Sequence, residues 1–171
     1  MALQFTTAML SKNTIKSVKN EWEDTDELMP IFNRNLELET PWSYETKTII
    51  VFLYITIYRA IENTLKAIIE QIDNEKFSEN YQWHKSLVNK GYTYGLIPAE
   101  AFSNIKKMLQ IRHVYLKNSL QNLKDEEIKT DNSNTMTIFY QFTTHLKNKF
   151  NIKINLKNQK TLISKNVTPK M

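Results

Sequence analysis

Residues 49–73 read IIVFLYITIYRAIENTLKAIIEQID, and the fold depends on whether this run is a strand or a helix. Its first five residues, Ile49-Ile50-Val51-Phe52-Leu53, are apolar and β-branched enough to pass for a buried strand. The rhythm that follows decides against it. Ile50, Leu53, Ile57, Ile61, Leu65, Ile68 and Ile72 recur at steps of 3, 4, 4, 4, 3 and 4, the period of one helical face. The N-terminal half is apolar on nearly every side, so the pattern predicts a central helix over 44–73 with neighbours on several faces. Ser43, just before Tyr44-Glu45, suits its N-cap.

Upstream, Ile15, Val18, Trp22, Leu28 and Met29 fall at mostly helical spacing within 7–39, where Pro30 predicts a kink or a break into two helices. Downstream, a third helix is expected over 77–90 with Tyr81, Trp83 and Leu87 facing in, ended by Gly91 at a C′ position. Pro98 opens a fourth helix, whose inward stripe is Phe102, Ile105, Leu109, Leu116, Leu120 and Leu123. A polar loop over 124–133 leads to a fifth helix, 134–150, burying Ile138, Phe139, Phe142, Leu146 and Phe150. The alternation in 152–156 suggests a short C-terminal hairpin with 161–163. The expected fold is all-α: a five-helix bundle of up-down type around the long second helix. Residues 1–150 form one domain and 151–171 a basic tail.

Composition supports this. The chain has 171 residues, room for one core, and only 2 glycines and 4 prolines, too few turn formers for many short strands. Cysteine is absent, which removes disulfides, thiolate nucleophiles and Cys-based metal sites. No secretory leader is evident at the N-terminus. The apolar run 49–57 is interrupted by Thr56 and ends at Arg59, whereas a membrane span needs about 20 apolar residues. A cytoplasmic protein with no membrane contact is expected. The net charge of +5 is unevenly spread: 142–171 carries seven lysines and no acid, whereas 1–45 has four basic and eight acidic residues. A basic terminus can meet phosphate backbones or acidic proteins, or stay solvated.

Chemistry has few footholds. Gly91 and Gly95 cannot build a phosphate loop, and His84, His113 and His145 are scattered singly with no metal-ligand spacing, so neither a metal nor a cofactor is expected. Aromatic residues such as Trp22, Tyr54, Tyr58 and Trp83 could stack bases but lie on or beside core stripes. The seven-residue gap in the fourth helix is filled by Arg112, a permanent charge at an inward position. Such a charge costs several kcal/mol, on the order of the usual burial penalty, unless it is paired or opens on a cleft. Two readings follow. Arg112 pairs with Glu62 of the second helix and locks the bundle. Otherwise the two helices flank a cleft where Arg112, His113, Lys117 and Asn118 present donors to phosphate, the guanidinium gripping the diester and the imidazole moving protons.

The run Ile111-Arg112-His113-Val114-Tyr115-Leu116-Lys117-Asn118, preceded by a long helix ending Tyr58-Arg59-Ala60-Ile61-Glu62-Asn63-Thr64-Leu65-Lys66, resembles the HEPN family. The resemblance implies a helical domain of toxin–antitoxin, phage-defence or RNA-processing systems. Family members carry an arginine, a polar residue and then a histidine, and a dimer brings two such motifs together to cleave RNA without metal through the ribose 2′-hydroxyl. Arg112 matches the arginine, His113 the polar residue, and Glu62 the polar residue of the second helix. Where the histidine would fall, this chain has Lys117, Asn118 or Ser119, and a lysine of pKa about 10.4 is a poor proton acceptor at neutral pH.

The resemblance therefore implies catalytic residues Arg112 and His113, with Glu62, Lys117 and Asn118 binding. Cleavage is expected to be weak or lost. The partners are RNA, a second copy of the chain, and a protein such as an antitoxin or a defence component. The competing expectation is a non-catalytic protein-binding module or a phage- or plasmid-encoded inhibitor. His84 and His145 read as ordinary half-buried polar residues.

Overall fold

A computed structural model describes residues 9–78, 80 and 82–159. The expected central helix is present as α2, Tyr44–Asp73, capped by Ser43, whose hydroxyl accepts from the Thr46 amide at 3.1 Å. It packs against every other helix: α1 (Lys12–Leu36), α3 (Trp83–Thr93), α4 (Ala99–Lys117), α5 (Asp125–Asn132) and α6 (Thr135–Phe150). The chain is all-α, with no strand among the described residues. By length and composition α2 could cross a bilayer, but 61% of its most apolar window is buried inside the protein.

The largest fully buried side chains, Trp22, Tyr54, Tyr58, Phe32, Phe139 and Phe142, come from α1, α2 and α6 and meet around α2. Trp22 donates its indole N–H to Thr64 Oγ1 at 3.0 Å, so the bulkiest core residue carries no unpaired polar atom. Tyr54 donates to the Met108 carbonyl at 3.0 Å, tying α2 to α4.

Pro30 does not break α1, which continues through it. Proline lacks the N–H that would bond the carbonyl four residues back, that of Asp26. The structure fills that vacancy from the far end of the chain: Asn158 Nδ2 donates to the Asp26 carbonyl at 2.8 Å. The buried Asp26 carboxylate also accepts from Tyr140 Oη at 2.6 Å and from the Asn158 amide at 3.2 Å. Residues 152–156 therefore pack as an irregular segment, with Ile152 and Leu156 buried, in place of the first strand of the expected hairpin. Residues 161–163, its other half, lie outside the described residues.

Three other expectations are corrected. Gly91 sits inside α3, because a Cβ there would come within 2.8 Å of Leu65 Cδ2; Gly95, with φ +64°, makes the turn beyond the helix. The expected polar loop contains α5, whose Asp125 pairs with Lys47 at 2.7 Å and accepts from the Trp42 amide. α4 stops at Lys117, six residues early, and its buried face is Ala101, Ile105, Met108, Leu109, Ile111 and Tyr115, leaving Leu116 57% exposed.

The proline repair predicts a coupling. Asn158→Ala orphans a buried carbonyl and should cost about 1–3 kcal/mol in urea denaturation. In a Pro30→Ala background, where a helical N–H reaches Asp26, the same change should cost distinctly less; equal losses in the two backgrounds would contradict the repair.

Candidate functional site

One turn apart on α2, Tyr58 and Glu62 face inward, and both are almost wholly buried, Glu62 at 2% exposure. A carboxylate so placed needs a partner. α3 supplies it from its first turn: His84 Nδ1 lies 2.6 Å from Glu62 Oε1. The expected alternative, an Arg112–Glu62 ion pair, is not formed among the described residues.

Arg112 reaches the same place from α4. It is half-buried, and its Nε is buried without a hydrogen-bond partner, while the neighbouring buried Tyr58 hydroxyl lies against the Glu62 carboxylate. Burial pushes that hydroxyl far above its ordinary range, the charge of Glu62 and a hydrogen bond to its carboxylate add to the rise, and the nearby Arg112 charge partly offsets it. Tyr58 is therefore a neutral O–H donor at any pH of interest.

His113, the next residue of α4, turns its ring edge-on toward His84 with centroids 6.2 Å apart. The imidazole pKa is lowered: desolvation on the protein side is the largest cause, followed by the charges of Arg112, His84 and Lys117, against which Glu62 acts weakly. His84 also packs on the Trp83 ring at 3.7 Å, and Lys66 reaches over that ring at 6.0 Å.

Of the residues expected from sequence, Glu62, Arg112 and His113 thus converge. Lys117, exposed at the last position of α4, contributes its charge to His113. Asn118 points its amide back to the Val114 carbonyl at 2.8 Å and closes the helix end, adding no donor to the cluster. His145 is an ordinary half-buried residue bonded to the Gly95 carbonyl at 2.9 Å. The residue that sequence reasoning missed is His84. Its place beside Glu62 follows from how α3 packs on α2, and no spacing along the chain signals that.

Chemically, the cluster offers a buried carboxylate, two imidazoles, a guanidinium and a phenolic hydroxyl from three helices. That set suits an anionic ligand whose protons are to be moved. Among the described residues no group of three or more His, Asp or Glu is placed to hold a metal ion. Comparison of the chain with protein-family models, with curated proteins and with solved structures finds no match in any of the three.

The crowding of positive charge predicts that His113 titrates below the ordinary histidine value of about 6.5. Replacing Arg112 by alanine should move its midpoint upward. Both are read from imidazole carbon shifts in an NMR pH titration, and a wild-type midpoint at or above the ordinary value contradicts this account.

Proposed function

We propose that this chain is an RNA-associated, HEPN-like protein of a bacterial or phage defence or toxin–antitoxin system, acting in the cytoplasm as a homodimer. Its RNA site is the Arg112 cluster, and metal-independent cleavage there is weak. The observation that supports this reading is the meeting of Glu62, Arg112 and His113, from α2 and α4, with the buried Nε of Arg112 lacking a partner.

The chemistry is that of a phosphodiester. A guanidinium binds two phosphate oxygens through parallel hydrogen bonds, and such charge-assisted bonds gain strength where water is thinned out. The hydroxyl beside it, Tyr58, stays neutral and adds no negative charge to repel the phosphate. Lys66 and Lys117 extend the positive field around the site without requiring sequence-specific contacts, as backbone binding demands.

A second reading, a non-catalytic protein-binding module or inhibitor, draws support from four exposed apolar side chains, Ile49 and Phe52 on α2 and Val114 and Leu116 on α4. On that reading the protein recognises another protein, such as an antitoxin, and has no use for RNA.

Binding of labelled mixed RNA, followed by fluorescence anisotropy in chelator, decides between them. The wild-type protein should bind with an affinity that falls as salt rises. Arg112→Ala should weaken binding roughly 10- to 150-fold, the loss of one charge-assisted contact worth about 1.5–3 kcal/mol. Retention of full affinity by the variant, or no RNA binding by the wild type, would remove the Arg112 site and favour the second reading.

A further inference from the structure

The Glu62–His84 pair has the geometry of a proton-handling couple. A carboxylate 3% exposed in its side chain holds Nδ1 of an imidazole 19% exposed in its own. Partial exposure of the ring and near-complete burial of the acid mean that solvent or ligand meets the histidine and never the glutamate. With Nδ1 committed to the carboxylate at 2.6 Å, Nε2 is the ring nitrogen left to a ligand. The Trp83 ring against one side of the imidazole fixes its plane, at a centroid distance of 3.7 Å.

A structural tether between α2 and α3 would need none of this orientation, and a purely structural role would be met as well by two neutral partners. What surrounds the pair also matters. Tyr58 adjoins it from α2 and Arg112 and His113 from α4, while Lys66 lies over the Trp83 ring and the Lys117 charge acts on His113. An anion brought in by Arg112 lands beside an imidazole already held in one tautomer.

We propose that His84, aimed by Glu62, is the general base of the Arg112 site, and that the group it deprotonates is a ribose 2′-hydroxyl of bound RNA. This rests on the RNA reading above and adds the residue that moves the proton. In the step, His84 Nε2 takes the 2′-hydroxyl proton as O2′ bonds to phosphorus. The P–O5′ bond breaks, O5′ leaves with a proton from water, and a 2′,3′-cyclic phosphate remains. Arg112 balances the charge on the non-bridging oxygens, and His113, neutral at pH 7 by its lowered pKa, adds no fixed charge that would oppose protonation of His84. Glu62 is a positioning residue: it stabilises the imidazolium formed at His84 and touches no substrate.

The test measures metal-free cleavage, as 2′,3′-cyclic ends, alongside RNA affinity for the wild type, His84→Gln and Glu62→Gln. We expect His84→Gln to lower the cleavage rate at least roughly 100-fold with affinity unchanged. Glu62→Gln keeps a hydrogen-bonding side chain but removes the negative charge that stabilises the imidazolium, so kcat should fall with KM unchanged, a split that a tether would not give. Added imidazole should partly restore cleavage to His84→Ala, which separates lost chemistry from lost folding. Wild-type cleavage that persists in His84→Gln overturns the assignment while leaving the RNA reading intact, provided Arg112→Ala still weakens binding. RNA binding without any cleavage by the wild type overturns the base assignment alone. Absence of RNA binding overturns both.

Discussion

Thirteen of the thirty residues of α2 are buried, and they are distributed around the helix so that one neighbour cannot cover them. Ile50, Ile57, Ile61, Leu65 and Ile68 face one way, while Val51, Tyr54, Tyr58 and Ile69 extend the buried surface round the cylinder. Each such side chain gains about 1.5–3 kcal/mol on leaving water, so the chain lowers its free energy by covering most of the circumference of α2, leaving exposed the stripe through Phe52, Arg59 and Asn63. The other five helices are placed by that demand, and the contacts α2 makes with all of them are its outcome. Even Gly91 reflects it, since the close approach of α3 to Leu65 leaves no space for a side chain.

A helix so enclosed can carry polar groups only where a partner arrives from a neighbour. Thr64 accepts from Trp22 of α1, Tyr54 donates to the Met108 carbonyl of α4, and Glu62 takes His84 of α3. These three contacts satisfy their groups. The Tyr58 hydroxyl lies against the Glu62 carboxylate one turn along, and the pattern lapses at the Arg112 Nε that faces them from α4. A buried donor without an acceptor is costly, which makes the Arg112 Nε the least satisfied group facing this part of the helix.

Much of this architecture is written in the order of residues. The steps along 50–72, the cap at Ser43 and the apolar face of α6 depend on neighbours three and four residues apart, and such local rules survive any tertiary arrangement. The errors have tertiary causes. Leu116 looked like a core position because leucines recur there at helical steps, but α4 turns Tyr115 inward and ends at Lys117. Pro30 left a kink and a break equally open, because the residue that fills its vacancy lies 128 positions later. At the site, Arg112 and Glu62 were legible as charges on apolar faces, which is a local anomaly. His84 was not, for its significance consists wholly of a partner on another helix.

The bond from Asn158 to the Asp26 carbonyl also bears on how the molecule presents itself to ions at a distance. Along the chain, the acids of the first segment and the lysines of the last stand at opposite ends, which suggests a strongly polarised object. The fold brings the segment that carries Lys153 and Lys157 back against the helix that carries Glu21, Glu23, Asp24 and Glu27. Opposite charges gathered on one side cancel within about a Debye length, 8–10 Å at ordinary ionic strength. Seen from farther away, the described residues form a weaker dipole than their linear charge distribution implies, and long-range attraction of a polyanion draws less on Lys153 and Lys157 than their charges alone suggest.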